Sequence, residues 1–245
     1  MAALYQAFDE RLQEIETYLD LLEAIEQTVR GGPPKIGDTQ ITAQQQKILY
    51  SSVYLQLYNL VEATITWCID AVVSATAEGE CWQPGDLSDL LRREWVRTFA
   101  RTHLDLNDEN RLQCAVELCD RLILSLPVVT WSMDRRGSGN WDDEQIEAVT
   151  RRLGCELRIS QKVYSSIKRK IRDDKSPLVL IKDLRNRLAH GSLSFSECGD
   201  NHTVVDLREI KECTAIYLRE VIEAFQSYIN AFEFLIPLRR PPINI

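Results

Sequence analysis

The sequence of 245 residues predicts an all-α protein, a bundle of helices around one core. Apolar residues recur at spacings of three and four along most of the chain, as they do in helices with one buried stripe. Only 10 Gly and 8 Pro punctuate it, too few for a collagenous or disordered chain. Strand signals are confined to Val128–Trp131 and Thr203–Val205, too short and isolated to build a sheet.

The elements follow in order. Leu4 to Val29 reads as an amphipathic helix, with Leu12, Ile15, Leu19, Leu22 and Ile25 on one side and acids on the other. Gly31-Gly32-Pro33-Pro34 stops it. Thr42 caps a longer helix that runs to about Ala77, since Leu57, Leu60, Val61, Thr64, Ile65 and Cys68 keep helical spacing and neither Gly nor Pro intervenes. After a loop around Pro84-Gly85, Leu87–Thr102 and Arg111–Ser125 are two further helices. Pro127 to Asn140, with Gly137, Ser138 and Gly139, reads as a loop, and Asn140 or Asp142 caps a short helix ending at Arg152. Ser160–Arg172 and Pro177–His190 come next, the latter opening on proline and stopping at Gly191. Ser192–Val205 is irregular. Asp206, with Glu209 three residues on, opens a last helix in capping-box fashion, and its stripe runs from Leu207 through Tyr217, Phe225 and Phe232 until Pro237 closes it.

No repeat, low-complexity run or linker divides the chain, so residues 1–235 are expected to form one domain and 236–245 a tail. Seven scattered cysteines without a CxxC pair fit reduced thiols rather than a disulfide framework. Cys114 and Cys119 have no histidine near them, so no metal site is expected. The opening MAALYQAFDER carries Asp9 and Glu10 where a secretory signal carries bases, and the longest aliphatic run in the second half is Leu178–Ile181. No transmembrane helix, no membrane association and a cytoplasmic location are therefore expected.

The net charge of −8 argues against a surface that grips nucleic acid everywhere. Residues 151–175, however, hold nine bases against three acids, which leaves the remainder at −14. That segregation suits either a phosphate track through Lys168, Arg169, Lys170 and Arg172 or a solvated helix face.

Several chemistries lose their usual apparatus, because GxxxxGK[ST], GxGxxG, HExxH and GxSxG are all absent. The segment Leu184-Arg185-Asn186-Arg187-Leu188-Ala189-His190-Gly191 stands out instead, with guanidinium groups, an amide and an imidazole at one helix end. At about 100° per residue Asn186 and His190 share a face, whereas Arg185 and His190 differ by about 140°. Taken alone, this also fits bases that favour a helix C-terminus before a closing glycine. Glu62, seven residues from both Leu55 and Ile69, puts a carboxylate inside an apolar stripe, where it needs a partner. Asn59 and the arginines at 185 and 187 are natural partners; taken alone, the feature fits a purely structural salt bridge better than a site.

Arg185, Asn186 and His190 match the R-polar-x(3–5)-H motif of the HEPN superfamily. LYNLVEAT (57–64), SGNWD (138–142) and LRNRLAHGSLSFSECG (184–199), followed by Asp206-Leu207, resemble the MAE-type branch of HEPN-like nucleases. The likeness spans the first helix to about residue 230, with 81–135 reading as a lineage-specific insert of helices between the second long helix and the motif helix. It implies a homodimer in which two RNxxxH helix ends form one composite cleft for RNA, with no cofactor. The implied reaction is metal-independent transesterification to a 2′,3′-cyclic phosphate. His190 would move protons, Arg185 would stabilise the phosphorane and Asn186 would orient the phosphate or the histidine, with Glu62, Asn59 and Arg187 in support. The implied setting is a toxin or antiviral-defence effector, with an antitoxin or defence-system protein as partner. A catalytically inactive helical adaptor that binds RNA or a protein is the alternative. Tyr164 is expected in the core or stacked on a base, His202 in an exposed loop, and His103 has no assigned role.

Overall fold

In the computed structural model, which describes residues 2–29, 32, 34–36, 38–102, 104–134 and 140–242, two long helices open the chain. These are α1 (Ala2–Val29) and α2 (Ala43–Ala77). Gly31 and Pro33 of the expected stop lie outside the described residues, as do His103 and the 135–139 part of the expected loop. Between the helices sits a minimal antiparallel hairpin, β1 (Lys35–Ile36) and β2 (Thr39–Gln40), in which Lys35 faces Gln40. Thr42 caps α2 as expected: its hydroxyl accepts the Gln45 N–H at 3.2 Å, and Gln45 Oε1 accepts the Thr42 N–H at 2.8 Å.

Helix α2 is the centre of the core. Val53, Tyr54, Leu57, Tyr58, Ile65 and Ile69 are buried on several sides of it, because other helices pack all round its middle. By length and composition this helix could cross a membrane, which corrects the expectation that no segment reaches that limit. The expectation weighed unbroken aliphatic runs, and α2 spreads its apolar residues among hydroxyls and amides. Half of the apolar window that meets that limit is buried within the bundle.

The remaining helices are α3 (Asp89–Phe99), α4 (Asp108–Ile123), α5 (Asp143–Leu153), α6 (Gln161–Lys168), α7 (Pro177–Ala189), α8 (Phe195–Cys198) and α9 (Val204–Asn230). Helix α9 lies along α1 and α2, burying Leu218, Val221, Ile222 and Phe225 against a floor that includes Phe8, Leu19 and Leu22. Each such side chain contributes roughly 1.5–3 kcal/mol. Charge pairs fasten the same seam. Arg208 reaches Glu16 at 2.9 Å, Asp20 at 2.6 Å and Glu23 at 2.9 Å, while the buried Lys211 pairs with Glu16 and Glu212. Within 81–135, Leu87, Leu91, Trp95 and Val128 join this same hydrophobic cluster. The buried Glu94 ties α3 to α5 through Arg152, at 2.6 and 3.2 Å.

Several boundaries depart from expectation: α4 opens at Asp108 rather than Arg111, with Asn107 as its cap, and α9 ends at Asn230, short of Pro237. Helix α6 stops at Lys168 rather than Arg172, because Arg169 turns extended (φ −65°, ψ 129°); beyond it Asp173 and Asp174 take positive φ (49° and 57°) in a tight turn closed by the Arg172–Lys175 bridge. The stretch 192–205 is not wholly irregular: Ser194 and Glu197 form a capping box that opens α8. Helix α9 starts three residues earlier than expected. Thr203 is its cap and Asp206 the reciprocal third residue, so the β-branched run Thr203–Val205 belongs to a helix start and not a strand. At the end of α8, Gly199 sits so close to α2 that a Cβ there would lie 1.9 Å from the Lys47 carbonyl oxygen.

Candidate functional site

Helix α7 positions the motif. Pro177 occupies its first turn, and Leu178, Ile181, Leu184 and Leu188 bury one stripe, which leaves Arg185 and Asn186 half-buried and His190 exposed. The end is a Schellman closure: Ser192 N–H donates to Arg187 O at 3.0 Å and Gly191 N–H to Leu188 O at 3.2 Å. Gly191 takes φ +70°, a conformation that glycine adopts without strain. His190 is therefore the last residue held by the helix, its own N–H donating to Asn186 O at 2.9 Å. Its ring makes no hydrogen bond among the described residues.

Arg185 is fixed from below and from the side. Its guanidinium lies over the ring of Tyr58, 4.5 Å from the centroid, and donates to Asn186 Oδ1 at 2.9 Å. The Asn186 amide in turn donates to Asn140 Oδ1 at 2.8 Å. Tyr58 is fully buried, and its hydroxyl accepts the Trp141 N–H at 3.3 Å. Burial pushes the phenol's pKa up and the Glu62 charge adds to the rise, while the Trp141 N–H and the Arg185 guanidinium oppose it. Glu62 and Arg185 thus both act on one ring.

One residue further, Asp142 caps α5 by accepting the Gln145 N–H at 2.9 Å and also pairs with Lys182 of α7. The stretch 140–142 therefore clips the start of α5 to the side of α7, directly beside Arg185; Ser138 and Gly139 of that block lie outside the described residues. The sequence gives no sign of a role for Tyr58 or Lys182, and it offers Asn140 only as a helix cap, a place that Asp142 takes. Tyr58 and Asn140 lay inside two of the blocks that carried the resemblance, and Lys182 lies one turn before Asn186, on the same face.

The other expected residues are placed as follows. Glu62 is half-buried and Asn59 exposed, and neither makes a hydrogen bond or ion pair among the described residues. Arg187 pairs loosely with Asp183 at 3.8 Å rather than with Glu62. Lys168 is turned to α5, pairing with the buried Asp143 and with Glu147 at 3.5 Å, and lies 5.5 Å over the half-exposed Tyr164 ring. Those pairs hold its pKa above the ordinary lysine value, against the opposing effect of its own burial. Arg169 pairs with Glu209, and Lys170 lies 3.6 Å from Asp174. Arg172 donates to His202 Nε2 and to Asp200 O at 3.4 Å.

His202 is not the exposed loop residue the sequence suggests. It is half-buried, with Tyr54 Oη 3.1 Å from Nε2. Burial and the Arg172 charge hold its pKa down to about 4, so the ring is neutral and can accept from Arg172. Among the described residues no group of three His, Cys, Asp or Glu side chains could hold a metal ion.

A family model described as MAE_28990-like HEPN matches residues 1–234. No curated protein and no solved structure matches the chain.

Proposed function

The chain belongs to the MAE_28990-like HEPN family, and from that premise we propose that it is an endoribonuclease that cuts RNA at the C-terminal end of α7. The observation that carries this reading is the fixed direction of Arg185, held on Tyr58 and by Asn186, at the helix end that also presents the exposed His190. A guanidinium held in one orientation is preorganised for the charge that develops on phosphorus.

The step uses these two groups. His190 takes the proton of a ribose 2′-OH, and the freed oxygen attacks the adjacent phosphorus while Arg185 stabilises the phosphorane. The bond from phosphorus to the 5′ oxygen breaks, that oxygen takes a proton, and a 2′,3′-cyclic phosphate and a 5′-hydroxyl remain. Asn186 spends its carbonyl on Arg185 and its amide on Asn140, so it holds the guanidinium rather than the phosphate. Arg185 and His190 diverge by about 140° around the helix, and a second copy across a two-fold axis brings one protomer's imidazole to its partner's guanidinium. A homodimer with a composite cleft is the assembly this reading takes. Lys170 and Arg172, whose carboxylate partners lie at 3.6 and 3.8 Å, serve the RNA backbone better than Lys168 and Arg169, which are closely paired. The cellular role that fits is a toxin or antiviral-defence effector, by likeness of family alone.

Incubation of single-stranded RNA with the parent, Arg185→Ala and His190→Ala proteins in EDTA tests the reading. Cleavage by the parent and loss in both variants is expected. Equal behaviour of all three removes the nuclease assignment and leaves a helical adaptor.

A further inference from the structure

We propose that the cavity bounded by α5, α6 and α9 binds a small primary aliphatic amine. It has a volume of about 360 Å³, within the usual range for a small-ligand pocket, and the segment 155–159 that joins α5 to α6 also lines it. The proposal does not depend on RNA cleavage.

Two polar groups in its lining lack a partner. Asp143, the first residue of α5, is 3% exposed; its Oδ2 pairs with Lys168, whereas its Oδ1 meets no hydrogen-bond donor among the described residues. Tyr217 of α9 is 2% exposed, and its hydroxyl likewise finds no partner there. Burial, with the carboxylates around it, pushes the phenol's pKa up, so the hydroxyl keeps its proton. Buried polar atoms left unpaired are costly, which favours a ligand that brings N–H donors to both oxygens.

Charge decides the class of ligand. The one ammonium of Lys168 serves two carboxylates, Asp143 and, at 3.5 Å, Glu147, so this trio keeps one negative charge in excess. Arg151 is turned elsewhere, its Nε donating to the Glu147 carbonyl oxygen at 3.2 Å. An alkylammonium supplies the missing charge together with three N–H donors, enough for Asp143 Oδ1 and Tyr217 Oη at once. Leu157, Ile159 and Ile167 give the cavity an apolar wall for the alkyl chain. Glu156, exposed in the same lining and held at 3.2 Å by the equally exposed Arg158, offers a carboxylate to a second ammonium. The chemistry is shared by a monoamine and a diamine.

Calorimetric titration with butylamine, 1,4-diaminobutane and 1,4-butanediol tests the proposal, in about 0.15 M salt to screen loose attraction of cations to a chain of net charge −8. Binding of at least one amine with no binding of the uncharged diol is the expected result, and the affinity falls by about tenfold or more in Tyr217→Phe and in Asp143→Asn. Tighter binding of the diamine identifies a diamine as the ligand; equal or tighter binding of butylamine identifies a monoamine. Tyr217→Phe keeps the ring and breaks no hydrogen bond among the described residues, so it decides should Asp143→Asn fail to fold. Binding of the diol, amine binding undiminished in the variants, or no binding of either amine overturns the proposal.

Discussion

Replacing Tyr58 separates what its ring does from what its hydroxyl does. The ring lies 4.5 Å beneath the Arg185 guanidinium, and the hydroxyl accepts the Trp141 N–H at 3.3 Å. Tyr58→Phe keeps the ring and loses only that long hydrogen bond, a stability cost of about 1 kcal/mol. Tyr58→Leu also removes the π face. A cation held over a desolvated ring is stabilised by about 0.5–2 kcal/mol, so if that restraint is expressed at the transition state the cleavage rate falls by about 2- to 30-fold. The Leu substitution leaves a smaller side chain at a fully buried site and costs a further roughly 2–3 kcal/mol of stability. Single-turnover RNA cleavage, measured well below both melting temperatures, reads the first effect, and urea unfolding reads the second. The account expects Phe to retain near-parental cleavage while Leu loses it. Equal losses in the two variants, or none in either, would refute the role of the ring in holding Arg185.

Two further outcomes follow from the packing. Gly199→Ala sets a methyl group 1.9 Å from the Lys47 carbonyl oxygen, so the end of α8 must lift from α2; a loss of about 3 kcal/mol is expected, a fall of about 6–12 °C in Tm. A shift under 2 °C would show that this approach is not tight. For His202, a folded pKa of about 4 against an ordinary 6.5 means that the unfolded chain binds the proton more strongly. Its contribution is therefore complete above pH 6.5 and is lost as pH falls toward 4, by roughly 1–3 kcal/mol for a partly exposed ring. Urea unfolding of the parent and His202→Asn at pH 7 and pH 4.5 checks this: the gap between them should narrow at the lower pH, and a constant gap contradicts it.

Much of the fold was legible because its signals are local. Thr42 with Gln45, and Pro177 with Gly191, mark helix ends through backbone chemistry that needs no tertiary partner. The misread ends were those where local signals compete. Thr203-Val204-Val205 has the β-branched character of a strand, yet Val204 and Leu207 are buried within the bundle and Thr203 is free to cap. Helix α8 is four residues long, too short to show a period. At the site, Arg185, Asn186 and His190 were visible as a dense polar motif at a helix end. Their supports were not, because Tyr58 and Asn140 reach them across 127 and 46 positions of sequence. The same holds for His202: Asp200 and Asn201 make its surroundings look like a solvated loop, and only folding brings Tyr54 to it across 148 residues.

The central claim is that Arg185 and His190 from two copies complete one cleft. Mixed dimers of Arg185→Ala and His190→Ala, each inactive alone, test it most directly when RNA cleavage and the 3′ ends of the products are followed together. In the mixed dimer one of the two symmetry-related Arg185–His190 pairs of that cleft stays intact, so recovery of up to half the parental activity per dimer and 2′,3′-cyclic phosphate ends are predicted. A mixture that forms dimers and stays inactive, or products that end in a 3′-hydroxyl, would contradict it.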